Sequence, residues 1–149
     1  MSRERHWRAL ERMYLGAPIN RFYHPRIEIG DAGATIEIDL SERFFHPLGA
    51  AHGSVYFKML DDAAFFAVSA EEEEVFVLTS AFTTYLTRPV SEGVLRSVGR
   101  VVSRTRSQWI AEAVAYDEAG REVGRGSGIF VRSRVELSDA EGYRLEGDS

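Results

Sequence analysis

The stretch Gly53–Ser69 constrains this chain more than any other. It reads as a helix that is apolar on nearly every side, and Lys58, Asp61 and Asp62 are its only charged residues. A surface helix carries a polar face, so a helix apolar all round belongs in an interior. The rest of the chain must then supply something that wraps it.

The flanking segments offer that wrapping. Residues 3–15 read as a short helix, with Trp7, Leu10 and Tyr14 on one face and Gly16 and Pro18 ending it. Ile27 and Ile29, then residues 35–40, read as two strands joined by a turn at residues 30–33. Residues 41–51 read as irregular. After the central helix, the acidic run 71–74 reads as a solvated turn. Val75–Leu86, Val94–Arg104, Gln108–Tyr116 and residues 123–134 then read as four long strands, and their short connections imply antiparallel hairpins. The acidic tail has little to bury and is expected to fray. The expected organisation is one domain over residues 1–136 and an acidic tail over residues 137–149.

Several strands carry small residues in alternation: Ala111, Ala113 and Ala115 on one, Gly124, Gly126 and Gly128 on another, with Ser97 and Gly99 on a third. Small faces let a helix approach a sheet closely, and Phe57, Phe65 and Phe66 are the bulky helix side chains expected to fill the space. An antiparallel sheet wrapped around one long central helix, with an extra N-terminal helix, is the simplest α+β arrangement that buries both.

Composition narrows the function. The 149 residues suit one domain, and 44% hydrophobic residues are enough for a core. A net charge of −5 argues against a nucleic-acid groove. The absence of cysteine excludes a disulfide framework, a thiolate metal site and a cysteine nucleophile. No apolar run approaches the roughly 20 residues that span a bilayer, and residues 1–12 lack an apolar signal core. A cytoplasmic protein without membrane contact is expected.

Two features of the central helix bear chemistry. Asp61 and Asp62 sit in its apolar interior, where a carboxylate is costly unless it is paired or used. Successive helical residues point about 100° apart, so the two acids face different ways. Lys58 is placed to pair with either. Either both acids reach a solvent edge and one pairs with Lys58, or one of them serves chemistry. At the other end, Gly53 and Ser54 lie where unpaired backbone N–H groups carry positive partial charge, which suits simple capping or an oxyanion hole. Gly53 and Asp61 are about 12 Å apart along one helix, too far for both to reach one carbonyl. If both act, two antiparallel copies of the helix must meet across a two-fold interface.

These residues resemble a known family. His46, Gly49, His52-Gly53-Ser54 and Asp61-Asp62-Ala63 are similar to the signature of hot-dog-fold acyl-CoA thioesterases, most of all the phenylacetyl-CoA and 4-hydroxybenzoyl-CoA thioesterase group, the PaaI-like branch. The segment from Phe82 through Arg88-Pro89 to Gly93 resembles the family's hairpin. The resemblance spans about residues 33–132. It implies hydrolysis of acyl-CoA thioesters, with Asp61 as nucleophile or general base and the Gly53 helix terminus of a partner subunit polarising the carbonyl beside Ser54. His52 takes the place of the motif histidine. His46 stands where relatives carry asparagine, Ser54 where they carry a second glycine, and Asp62 where they carry threonine.

The resemblance further implies a homodimer with shared active sites, assembled as a dimer of dimers, and no cofactor beyond the coenzyme A of the substrate. Arg88, Arg104 and Arg106 are candidates for its phosphates. Tyr56 and Phe65 either line an acyl pocket or belong to the core. Two other functions remain open: a hot-dog enoyl-thioester hydratase or dehydratase, whose histidine segment Phe45-His46-Pro47 resembles, and a non-catalytic acyl-CoA-binding protein.

Overall fold

The computed structural model describes residues 2–146. Helix α1 (Ser2–Gly16) is followed by a one-turn helix α2 (Asn20–Tyr23), strands β1 (Arg26–Gly30) and β2 (Gly33–Asp39), and a 3-10 turn at Glu42–Phe44. The long helix α3 (Gly53–Ser69) leads into β3 (Val75–Leu86), β4 (Val94–Arg104), β5 (Gln108–Tyr116) and β6 (Glu122–Glu136). The helix α3 and the last four strands fall where the sequence pattern places them. Helix α2 and the 3-10 turn lie in stretches without readable periodicity.

All six strands form one antiparallel sheet in the order β1-β2-β4-β5-β6-β3. Helix α3 crosses one face of it, touching β2 through β6. Ile36, Ile38, Met59, Leu60, Leu95 and Phe130 are fully buried between them. The closest approach is at Gly99 on β4, where an added Cβ would lie 2.2 Å from the Ala63 carbonyl oxygen. Backbone rests on backbone there, so α3 sits close enough for its neighbours to interlock.

One part of the small faces is filled differently from expectation. An added Cβ at Gly126 or Gly128 would meet the Phe82 ring of the adjacent strand β3 at 2.5 Å. Phe82, not a helix phenylalanine, therefore lies over those glycines, and Phe57 is left 42% exposed with its ring edge against Phe82. Phe65 and Phe66 do pack inside, against Phe76, Phe130 and Tyr14.

Two surface expectations also need correction. The acidic run after α3 is not simply solvated. Glu72 is buried, accepting from the Glu74 and Val75 amides and from Arg132, while Glu71 accepts from Arg104 and the Trp109 indole. Nor does the tail fray up to residue 146. Leu137 is buried and its amide bonds to the Glu74 carbonyl, Arg5 reaches the Glu146 carbonyl, and Tyr143 packs on the buried His6. These partners lie far away in sequence, so no local pattern announces them.

Gly99→Ala should be costly because the obstruction is helix backbone rather than a movable side chain. Forcing α3 off the sheet should lower stability by about 3 kcal/mol, read as a lower denaturation midpoint in urea.

Candidate functional site

The two aspartates in the middle of α3 have separate environments. Asp61 faces β3, and its Oδ1 accepts a 2.9 Å hydrogen bond from the Thr79 hydroxyl. Asp62, one residue on and turned by about 100°, faces α1. Its Oδ2 accepts from the Tyr14 hydroxyl at 2.7 Å and from the Lys58 ammonium one turn earlier at 2.5 Å. The ammonium also lies 4.9 Å from the ring centres of both Tyr14 and Tyr23.

Charge follows from this geometry. Burial pushes the Asp61 carboxyl up to about 6, the Thr79 hydrogen bond and the Lys58 charge work against that rise, and the Asp62 charge adds to it. Burial, reinforced by the Asp62 charge, holds the Tyr14 phenol far above its ordinary value, so it keeps its proton and donates to Asp62. A half-buried carboxyl that titrates near neutrality can take up or release a proton under ordinary conditions.

The N-terminus of α3 is capped by His52, whose extended backbone precedes the first turn. Its Nδ1 accepts from the Ser54 amide at 3.0 Å and lies 2.9 Å from the Ser54 hydroxyl. The Val55 amide goes to the His52 carbonyl. The Ser54 amide, expected beside a substrate carbonyl, is thus used by the cap, and Gly53 supplies the amide outside that capping arrangement.

A cleft of about 340 Å³ opens at this end of the helix, lined by residues including His46, Gly53, Tyr56, Leu86 and Arg88. The Tyr56 hydroxyl donates to the Arg88 carbonyl and ties α3 to the segment after β3. The His46 Nδ1 accepts from the Leu48 amide at 3.1 Å, which puts the ring proton on Nε2.

The structure therefore gathers His46, Gly53, Tyr56 and Arg88 in one cleft, with His52 and Ser54 at its capped rim. Asp61 stands apart, about 12 Å along the axis. Phe65 packs against Phe66, Phe76 and Phe130. Arg104 is bonded to Glu71 just beyond the opposite end of α3, and Arg106 is exposed, with its carbonyl accepting from Arg132. Thr79 and the pairing role of Tyr14 escaped the sequence reading. Thr79 sits in an ordinary strand pattern, and its one local mark is the bulge that breaks the β3–β6 register between Thr79 and Ala81. Tyr14 reads as an apolar-face residue of α1. Among the described residues, no group of three or more His, Cys, Asp or Glu side chains is placed to hold a metal ion.

Comparisons agree with this architecture. A family model described as the thioesterase superfamily matches residues 48–124, the span from the loop before α3 into β6. The PaaI protein of the phenylacetic acid degradation operon of E. coli is 18% identical and superposes with a TM-score of 0.78, over 89% of this chain and 96% of that one. A putative esterase of Mycobacterium tuberculosis is 24% identical, with a TM-score of 0.73 over 78% and 97%. A thioesterase of Haemophilus influenzae is 14% identical, with a TM-score of 0.72 over 80% and 85%. Curated proteins give no match. The chain belongs to the thioesterase superfamily and has its hot-dog fold, an antiparallel sheet wrapped on a central helix.

The raised Asp61 value has a stability consequence. The folded state holds a proton on Asp61 up to about pH 6, whereas the unfolded chain releases it near 3.8. Stability therefore falls as pH rises through that window, and the cost is fully present above it. Asp61→Asn removes it and, after allowance for solvent access, should gain ~1 kcal/mol at pH 7.5, or roughly 2–4 °C in Tm. Melting curves at pH 4 should show the gain almost gone; an equal gain at both pH values would contradict this account.

Proposed function

We propose that this protein hydrolyses acyl-CoA thioesters to the free acid and coenzyme A, with Asp61 as nucleophile or general base. The observation that carries the reading is the Asp61 carboxyl: half-buried on a largely apolar helix, bonded to Thr79 and raised to about 6. Neither core packing nor the Lys58 pair accounts for it, since Lys58 is bonded to Asp62.

Asp61 and Gly53 of one chain are too far apart to act on one carbonyl, so the site is completed across a two-fold axis. Strand β3 ends the sheet, and Ala81, Thr83, Tyr85 and Leu86 along it are exposed. Pairing of two such edges would cover them and bring two copies of α3 side by side. The thioester carbonyl then sits against the Gly53 amide of one protomer. Asp61 of the other takes a proton from a water that bonds to the carbonyl carbon, the C–S bond breaks and coenzyme A leaves as the thiol with that proton. As nucleophile, Asp61 instead displaces the thiolate to form a mixed anhydride, which water then hydrolyses. The α3 dipole supports the oxyanion, and loss of one such donor typically costs ~3 kcal/mol of barrier.

His46 lies in the same cleft with an Nε2–H to donate, as the family asparagine would with its amide. The exposed Arg88 at the cleft is the arginine best placed for coenzyme A phosphates. Leu78 and Ile110, exposed on the outer face of the sheet, supply apolar area for two dimers to associate. The cytoplasm is the compartment that fits a coenzyme A ester substrate, and no helix of the described residues is long and apolar enough to cross a membrane.

Thiol release from a panel of aryl and medium-chain acyl-CoA esters tests the reading. Asp61→Ala should keep the fold and lose turnover by at least about 10³-fold. Wild-type thiol release in that variant would overturn the assignment. Hydration of a 2-enoyl thioester without thiol release would favour a hydratase, and retained ligand binding with no turnover in the wild type would favour a binding protein.

In a turning-over wild type, kcat/KM should rise with pH through a limb near 6, because only the ionised Asp61 attacks or accepts a proton. Thr79→Val removes the hydrogen bond that favours the ionised form. It should move that limb to higher pH, which a pH profile of kcat/KM reads directly.

A further inference from the structure

The pairing of Asp62 is an unusual feature of a helix that already carries one functional carboxylate. Its side chain is 20% exposed and that of Lys58 10%, so both charges are largely withdrawn from water. Such a pair gives little net stability compared with apolar residues of similar volume, because desolvation offsets the attraction. Here it has been given further partners: the Tyr14 hydroxyl on Asp62 Oδ2, and the Tyr14 and Tyr23 rings beside the ammonium. Lys58 is also the single lysine among 18 basic residues.

Resting on Asp61 as the catalytic carboxylate, we propose that Lys58 and Tyr14 are positioning residues for the hydrolysis. By holding Asp62 on the α1 side of α3 and balancing its charge, they leave Asp61 as the one uncompensated carboxylate facing β3.

The geometry makes this more than a structural pair. Asp61 and Asp62 are adjacent, and an unbalanced charge on one opposes ionisation of the other. The groups acting on Asp61 are Asp62 and Lys58 on its own helix and the Thr79 hydroxyl on β3. Asp62 is held by Lys58 on α3 and Tyr14 on α1, and the Tyr23 ring on α2 lies against the Lys58 ammonium. Asp62 and Lys58 act on Asp61 in opposite directions, so the Lys58 charge offsets part of the Asp62 charge at the reacting group. Burial keeps the Tyr14 phenol protonated, so it remains a hydrogen-bond donor to Asp62. Helix α1 thereby contributes to the site without touching substrate.

The test is a set of substitutions read on the full-length protein by the carbon-13 chemical shift of the Asp61 carboxyl against pH. A second reading is the acidic limb of kcat/KM with whichever acyl-CoA ester the wild type cleaves. Lys58→Met should move both upward by about one pH unit, a tenfold loss of kcat/KM below the limb. Asp62→Asn should move both downward. The double variant should return close to wild type, and Tyr14→Phe should give a smaller upward shift.

Coincident Asp61 titrations in wild type, Asp62→Asn and Tyr14→Phe, all folded, would overturn the proposal even if Lys58→Met fails to fold. A change in kcat or Tm with no movement of the limb would do the same. The titration needs no turnover, so it separates the two readings. Absence of thiol release in the wild type defeats the thioesterase reading, while unmoved titrations defeat the positioning role.

Discussion

Helix α3 can lie on the sheet only because its backbone meets a glycine at Gly99. That contact sets the depth at which α3 sits, and the depth sets the environment of everything α3 carries. Met59, Leu60, Ala63 and Ala64 are sealed from water, and Asp61 is drawn down beside Thr79. A helix held a few ångströms further out would leave Asp61 in solvent, at an ordinary carboxylate value and without the desolvation that raises it.

The second support comes from the chain termini. Helix α1 is tied to the end of α3 by His6 and Trp7, which reach the Ser69 and Ala70 carbonyls, and to β1 by Glu11, which accepts from the Ile29 amide. The tail returns over α1 through Tyr143 and the Glu146 carbonyl. Burial holds His6 below its ordinary value, so it stays neutral and bonds through both ring nitrogens. This packing fixes the register of α1 against α3 and so puts the Tyr14 hydroxyl on Asp62. The periphery of the fold and the centre of the site form one mechanical unit.

Much of this was legible in the residues. The buried helix, the four long strands and the antiparallel order follow from hydrophobic period and turn chemistry, which act locally. The motif from His46 to Asp61 marked the family, and the two aspartates marked the candidate site. The filling over Gly126 and Gly128 was misread, because alternation of glycine shows that something large lies over the strand but not whether it comes from the helix or from the strand alongside. The acidic run was misread for a similar reason: Arg104, Trp109 and Arg132, which engage Glu71 and Glu72, lie between 33 and 60 residues away in sequence.

The sequence alone pointed to an apolar helix with two carboxylates enclosed by an antiparallel sheet, the simplest arrangement that buries its faces. It also determined that those carboxylates would point in different directions, because helical geometry requires it. Only the tertiary structure decided which acid is paired with Lys58 and which is bonded to Thr79 alone. That choice depends on Tyr14, 48 residues before Asp62, and on Thr79, 18 residues after Asp61. Hydrogen bonds between groups so distant in sequence are set by how the helices and sheet pack, and no local period records them.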